Sequence, residues 1–192
     1  MNESITKIAQ LEDCYGTPHE IVKNKAVYQI DPYTQKFIEH SPFVILSSCD
    51  SEGFMDTSPR GGEPGFVKVL DETTLLIPNS AGNRRLDTFR NLLSHPQIGL
   101  MFMIPGIEEI VRVKGYASLH SDPELCAKAP DGNRVPKMVV KVIVKELFFH
   151  CPKAIMISKL WQPDNVTDRS FLPSLGDIVT EQQRLKEQSR NH

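Results

Sequence analysis

Up to about residue 40 the apolar positions recur at helical spacing. Ile5, Ile8 and Leu11 share one face, and Gly16 supplies a stop. Thr17-Pro18-His19-Glu20 has the form of a capping box with proline at the first helical position. Asp31-Pro32 opens a third short helix carrying Phe37 and Ile38, which Ser41-Pro42 closes. This arm is expected to pack on the outside of whatever follows.

From Phe43 the period drops to that of strands. Residues 43–47 form an apolar run, and Asp50-Ser51-Glu52-Gly53 is hairpin chemistry returning through residues 54–58. Residues 66–70 alternate, turn at Asp71-Glu72-Thr73, and come back over residues 74–78. A helix is expected from about Arg84 to Leu93, with Leu86, Phe89 and Leu93 on one face, broken by His95-Pro96. Further strands follow at residues 98–104, 110–117 and 139–149. Pro105-Gly106 turns between the first two, and Ser121-Asp122-Pro123-Glu124 caps a short helix before the third. Residues 175–192 read as a polar helix or a frayed end. Six or seven antiparallel strands joined by hairpins, with one helix inserted, imply a mainly β, α+β protein. Periodicity leaves a closed or partly closed β-barrel and a sandwich as the two architectures.

Composition adds limits. The chain has 192 residues, 40% hydrophobic and 24% charged, with a net charge of −2, which argues against bulk attraction to nucleic acid or anionic lipid. No apolar run reaches the roughly 18 residues that span a bilayer, and residues 1–10 lack a secretory apolar core. A cytoplasmic protein is expected. Cys14, Cys49, Cys126 and Cys151 stand far apart without the paired spacing that zinc needs, so no metal is expected and the cysteines read as structural and reduced.

Candidate chemistry gathers between Ser58 and Arg85. A strand ends at Ile77-Pro78, a glycine-containing loop follows, and Arg84-Arg85 open the expected helix. Free amides and the positive end of a helix favour an anion there, and adjacent arginines suit a phosphate. The alternative is an Arg84–Asp87 pair on a solvated surface. Ser58-Pro59-Arg60-Gly61-Gly62-Glu63-Pro64-Gly65 reads as a loop longer than a hairpin needs, either a binding loop or an excursion beside an edge strand. At His150-Cys151-Pro152-Lys153, proline at the first position of a helix would put Cys151 at its cap. That stabilises a thiolate, with His150 and Lys153 able to bind an anion or donate a proton. The alternative is a plain strand-to-helix corner. Trp161 reads as a packing or ring-stacking residue.

Several segments together resemble the flavin-binding family of pyridoxamine 5′-phosphate oxidase-like split barrels. They are Ser41-Pro42-Phe43-Val44-Ile45-Leu46, Ser58-Pro59-Arg60-Gly61, Leu75-Leu76-Ile77-Pro78-Asn79, Gly82-Asn83-Arg84-Arg85-Leu86-Asp87 and Val111-Arg112-Val113-Lys114-Gly115-Tyr116-Ala117. Phe148-Phe149-His150-Cys151-Pro152-Lys153-Ala154 with Leu160-Trp161 fits one subgroup, whose members are described as FMN-dependent. The likeness spans about Phe37 to Trp161. It implies a split barrel over residues 41–161, a helical extension over 1–40 and a polar tail over 162–192. It also implies a homodimer with flavin mononucleotide (FMN) at its interface. Arg84 and Arg85 would grip the FMN phosphate, with Asn83 beside them; Ile77, Pro78 and Asn79 would run along the ribityl chain and ring. Ser58 and Arg60 would reach the phosphate region, Lys68 is a further candidate, and Trp161 would contact the ring. The chain departs from the true oxidases in two places. It has Ile110 where they carry a glutamine, and it ends Glu187-Gln188-Ser189-Arg190-Asn191-His192 rather than in an arginine-x-histidine segment. The implied activity is an FMN-dependent oxidoreductase passing hydride or electrons between NAD(P)H and a small acceptor, not vitamin B6 oxidation. The rival functions are a non-catalytic flavin carrier or sensor, or the same barrel holding deazaflavin F420 or haem.

Overall fold

The computed structural model describes residues 4–79 and 85–190. Seven strands make one antiparallel sheet in the order β2-β1-β5-β6-β7-β4-β3. They are β1 (Phe43–Cys49), β2 (Met55–Gly61), β3 (Lys68–Asp71), β4 (Thr74–Pro78), β5 (Gln97–Met103), β6 (Ile110–His120) and β7 (Val139–His150). The helices are α1 (Ile8–Tyr15), α2 (Glu20–Lys23), α3 (Pro32–His40), α4 (Asp87–Ser94), α5 (Pro123–Ala127), α6 (Lys153–Ser158) and α7 (Leu175–Arg190).

The sheet alternates because the strands do: Ile98, Leu100 and Phe102 of β5 are buried, while Gly99, Met101 and Met103 between them are half exposed. Val44 and Leu46 near one flank share a buried cluster with Leu75 and Ile77 near the other. A single sheet can bring both flanks to one core only by curling on itself, so the architecture is the barrel and not the sandwich. Among the described residues its edge strands β2 and β3 do not pair with each other, which leaves the barrel split. Phe66 and Val67, on the link from β2 to β3, are buried in the core cluster, α3 packs over β3 and β6, and α4 lies against β1, β2 and β6. A bulge after Lys114 bends β6 against β7. Gly115 sits there because a β-carbon would lie 2.4 Å from the Ile143 carbonyl oxygen. Beyond the end of β4, Val27 takes over the edge of β7 through two backbone bonds with Leu147, of 2.9 and 2.8 Å.

Several expectations change. The segment Ser58-Pro59-Arg60-Gly61 is strand rather than loop, in register from Leu46↔Ser58 to Phe43↔Gly61. Pro59 is tolerated because β2 is an edge strand, where a missing N–H breaks no ladder. The helix expected from Arg84 begins instead at Asp87, because Leu86 is in the left-handed region (φ 62°) and cannot continue a helix backwards. That start puts Thr88, Phe89, Asn91 and Leu92 inward and leaves Leu86 and Leu93 exposed. Thr17 caps nothing: α2 starts at Glu20 after His19, with no side-chain cap. The α1 and α2 segments bury no residue, so the N-terminal arm packs only from Val27 onward, through its pairing with β7, Ile30, and Thr34, Phe37 and Ile38 of α3. Of the cysteines expected to be structural, Cys126 is buried, Cys49 is half exposed, and Cys14 and Cys151 are exposed. No described helix is long and apolar enough to cross a membrane.

Candidate functional site

A cleft of about 1030 Å³ opens between β2, the start of α4 and the loop before β7. It lies at the upper end of the roughly 300–1,000 Å³ usual for small-molecule sites. Period two on β2 sends Asp56, Ser58 and Arg60 to the same face, and all three line the cleft. Opposite them stand Arg85, Leu86, Asp87, Thr88 and Phe89, and Asn79 closes one side. A buried bond from Asn91 Nδ2 to Ser48 Oγ (3.1 Å) ties α4 to β1 and fixes this wall.

Arg60 is the most determined cation. Its guanidinium donates to Ser58 Oγ, to the Pro59 carbonyl (2.9 Å) and to Thr88 Oγ1 (3.4 Å), and lies 5.9 Å from the Phe89 ring centre. Thr88 in turn donates to Asp56 Oδ2 at 3.3 Å. Burial lowers the pKa of Arg60, and the charge of Asp56 opposes that shift. An arginine stays charged regardless, so the desolvation is a strain that an incoming anion offsets. Arg85 donates through Nε to Asp87, whose carboxylate raises the arginine's pKa; Arg90 stands 4.0 Å from the same carboxylate.

The loop before β7 adds what the sequence reading missed. Asp131 and Arg134 close a tight turn through backbone bonds of 2.8 and 3.1 Å, with Gly132 at φ 56°. Arg134, Val135, Pro136 and Lys137 then line the cleft. Pro130-Asp131-Gly132-Asn133 is recognisable turn chemistry with cations behind it. Nothing in one dimension indicates that the turn faces β2 and α4.

Of the site residues expected from sequence, Ser58, Arg60, Asn79 and Arg85 line this cleft. Asn83 and Arg84 lie outside the described residues. Ile77 and Pro78 sit on β4, whose five positions are all buried, with Ile77 in the main core cluster. Lys68 turns away and donates to the Gly65 carbonyl at 2.6 Å. Trp161 donates through Nε1 to the Ile107 carbonyl (2.9 Å), at the β5–β6 turn and not in the cleft of its own chain. Cys151 is not a cap, since α6 begins at Lys153 with Pro152 in the cap position.

The residues present suit a phosphate-bearing cofactor. Among the described residues Arg60, Arg85, Arg134 and Lys137 line the cleft with Asp56, Asp87 and Asp131, an excess of one positive charge in a chain whose net charge is −2. Among the described residues the lining has no histidine, cysteine, methionine or tyrosine, the usual axial ligands of haem iron.

Fold and cleft together define a split-barrel protein of the α+β class. Residues 30–151 match the family described as pyridoxamine 5′-phosphate oxidase, and the chain belongs to that family. No curated protein matches it in sequence. Among solved structures it is similar to HupZ of Group A Streptococcus, at 19% identity and a TM-score of 0.50, over 62% of this chain and 93% of that one. It is also similar to a Lactobacillus delbrueckii protein named for pyridoxamine 5′-phosphate oxidase, at 20% identity and a TM-score of 0.52, over 64% and 95% of the two chains. At these identities the likeness concerns the fold alone.

Proposed function

We propose that the protein binds FMN and works as an FMN-dependent oxidoreductase, passing hydride or electrons between NAD(P)H and a small acceptor. The observation that carries this reading is the half-buried, pre-positioned Arg60 facing Arg85, Arg134 and Lys137 across one cleft. A terminal phosphate would take the guanidinium of Arg60 bidentately and relieve its desolvation, with Arg84 and Arg85 completing the grip. Bound FMN supplies the redox chemistry, while the chain binds, orients and shields it. The lining favours flavin over haem, and unpaired cysteines fit the reducing cytoplasm.

The reading includes a homodimer with the cofactor at its interface. Support comes from the outer face of the sheet, where the cross-strand pairs Phe43↔Met103 and Ile45↔Met101 are only half buried. With Ile110 in place of an amide, oxidation of pyridoxamine 5′-phosphate is not expected. The test is to purify the protein, extract its chromophore for mass spectrometry, and add NAD(P)H. FMN whose oxidised band bleaches supports the reading. FMN that NAD(P)H does not bleach leaves a carrier or sensor, and a Soret band or F420 rejects the assignment.

A further inference from the structure

Beyond β7 the chain continues through α6, short 3-10 turns at Pro163–Asn165 and Arg169–Phe171, and α7. This stretch is folded, yet it buries almost nothing. Of the described residues from Gln162 onward every one is exposed except Ile178, which is half-buried. Large apolar side chains stand in water along its length: Ile157, Leu160, Phe171, Leu172, Leu175 and Val179. Among the described residues, the hydrogen bonds of residues 162–190 reach back no further than Ser158.

An α7 placed in this way is not stable on its own. Isolated helices of about 12–15 residues are marginal in water even when rich in alanine, and α7 has 16 residues and no alanine. Leu175, Ile178, Val179 and Leu185 recur at the spacing that gathers them into one stripe. A helix of this kind draws its stability from the surface its stripe covers, and its own barrel offers none. On the rest of the helix Asp177, Glu181 and Glu187 balance Arg184, Lys186 and Arg190. It therefore lacks the cationic excess of a helix that lies on an anionic membrane, and it can meet a copy of its own chain without net repulsion.

The root of the segment points to that copy. Trp161 is tied to the Ile107 carbonyl at 2.9 Å, in the turn just past the end of β5. That turn is the rim of the outer face on which Met101 and Met103 lie half-buried beside Ile45 and Phe43. A 16-residue helix is about 24 Å long, most of the width of a small domain, so it spans a neighbouring barrel docked on that face. We propose that α7 is an exchanged arm: its stripe of Leu175, Ile178, Val179 and Leu185 packs on the barrel of a second copy of this chain, which returns its own arm by two-fold symmetry. The inference rests on the dimer of the proposed function and is independent of what the cleft binds.

The experiment exposes the full-length protein to trypsin at micromolar and nanomolar concentrations. Cuts after Arg184 and Lys186 are read by mass spectrometry, and the same samples are sedimented. A dimer with a protected arm is expected at micromolar concentration, with cutting about tenfold faster or more once dilution gives monomer. Leu175→Glu combined with Val179→Glu alters exposed positions only, so the barrel keeps its core. The pair should raise the dimer dissociation constant about tenfold or more, as loss of a single buried apolar side chain does, and should abolish the protection. Glu187→Ala, on the opposite face of α7, should change neither. A parent protein that is monomeric throughout overturns the arm and the dimer together. A dimer whose dissociation constant and cutting rate ignore the double substitution overturns the arm alone. So does an arm protected equally at every concentration, which would lie on its own chain, and so does an arm cut rapidly within the dimer, which would serve a different partner.

Discussion

Arg60 shows how one residue acquires a role from its surroundings. Alone it is a cation on an edge strand; with Ser58, Thr88 and Phe89 around it, its guanidinium is aimed and partly stripped of water. Arg60→Ala should weaken FMN by roughly 1.5–3 kcal/mol, the range for a charged hydrogen bond, and leave riboflavin unchanged. Calorimetry with both ligands decides, and equal losses would remove the phosphate from the argument. His150 makes the opposite kind of prediction. Burial first, then Arg112 and Lys25, push its pKa below the ordinary 6.5. The folded chain thus refuses a proton that the unfolded chain accepts. Its contribution to stability is complete above about pH 6.5 and is lost as pH falls from there through the folded value. Urea midpoints across that window should fall less steeply in His150→Gln than in the parent. Arg60 was legible from its place in a motif. Arg134 and Lys137 were not, because no motif surrounds them and their role depends on which wall their turn faces.

At the scale of elements, two positions bear geometry that side chains resist. Leu86 ends the backward run of α4 in a left-handed conformation, which costs a non-glycine residue roughly 1–2 kcal/mol. Being exposed, its side chain offers little burial in return. Leu86→Gly should stabilise the protein by about 0.5–1 kcal/mol after glycine's extra unfolded freedom is deducted, read as a higher urea midpoint at unchanged slope. Gly115→Ala should do the reverse. Its β-carbon would meet the backbone oxygen of Ile143, which cannot swing aside, and about 2–3 kcal/mol of stability should be lost. Strand and helix identities were largely readable from period and caps. Their ends were not: Pro59 reads as a breaker until β2 is known to be an edge, and the start of α4 depends on one backbone angle.

For the whole molecule, β5 carries the main question. Residues 98–104 are apolar at nearly every position, a pattern that suits a strand covered on both faces, yet in the single chain only the face bearing Ile98, Leu100 and Phe102 is buried. Met101 and Met103 remain half exposed beside Ile45 and Phe43. The proposed dimer covers them, and obligate interfaces commonly bury more than about 2,000 Å². Sedimentation at micromolar and nanomolar concentrations should give a dimer of the 21.7 kDa chain that FMN tightens, since a ligand touching both subunits is linked to association. Met101→Lys should dissociate it. A Met101→Lys protein that stays dimeric would put the interface elsewhere.

The sequence by itself determined the element inventory and the chemistry on offer. The apolar run of β5, the alternation in β7, the Asp31-Pro32 and Asp122-Pro123 caps, and the arginine-bearing segments are all local, and local patterns survive in one dimension. Tertiary structure decided everything that depends on distance between remote parts of the chain. It curled one sheet so that Val44 and Ile77 share a core, and brought Arg134 to Arg60. It sent Lys68 and Trp161 away from the cleft, and set Lys25 and Arg112 over one phenyl ring. Closure, register and edge position are global properties. A residue's neighbours across the sheet depend on how every strand between them is paired, and no window of the sequence contains that.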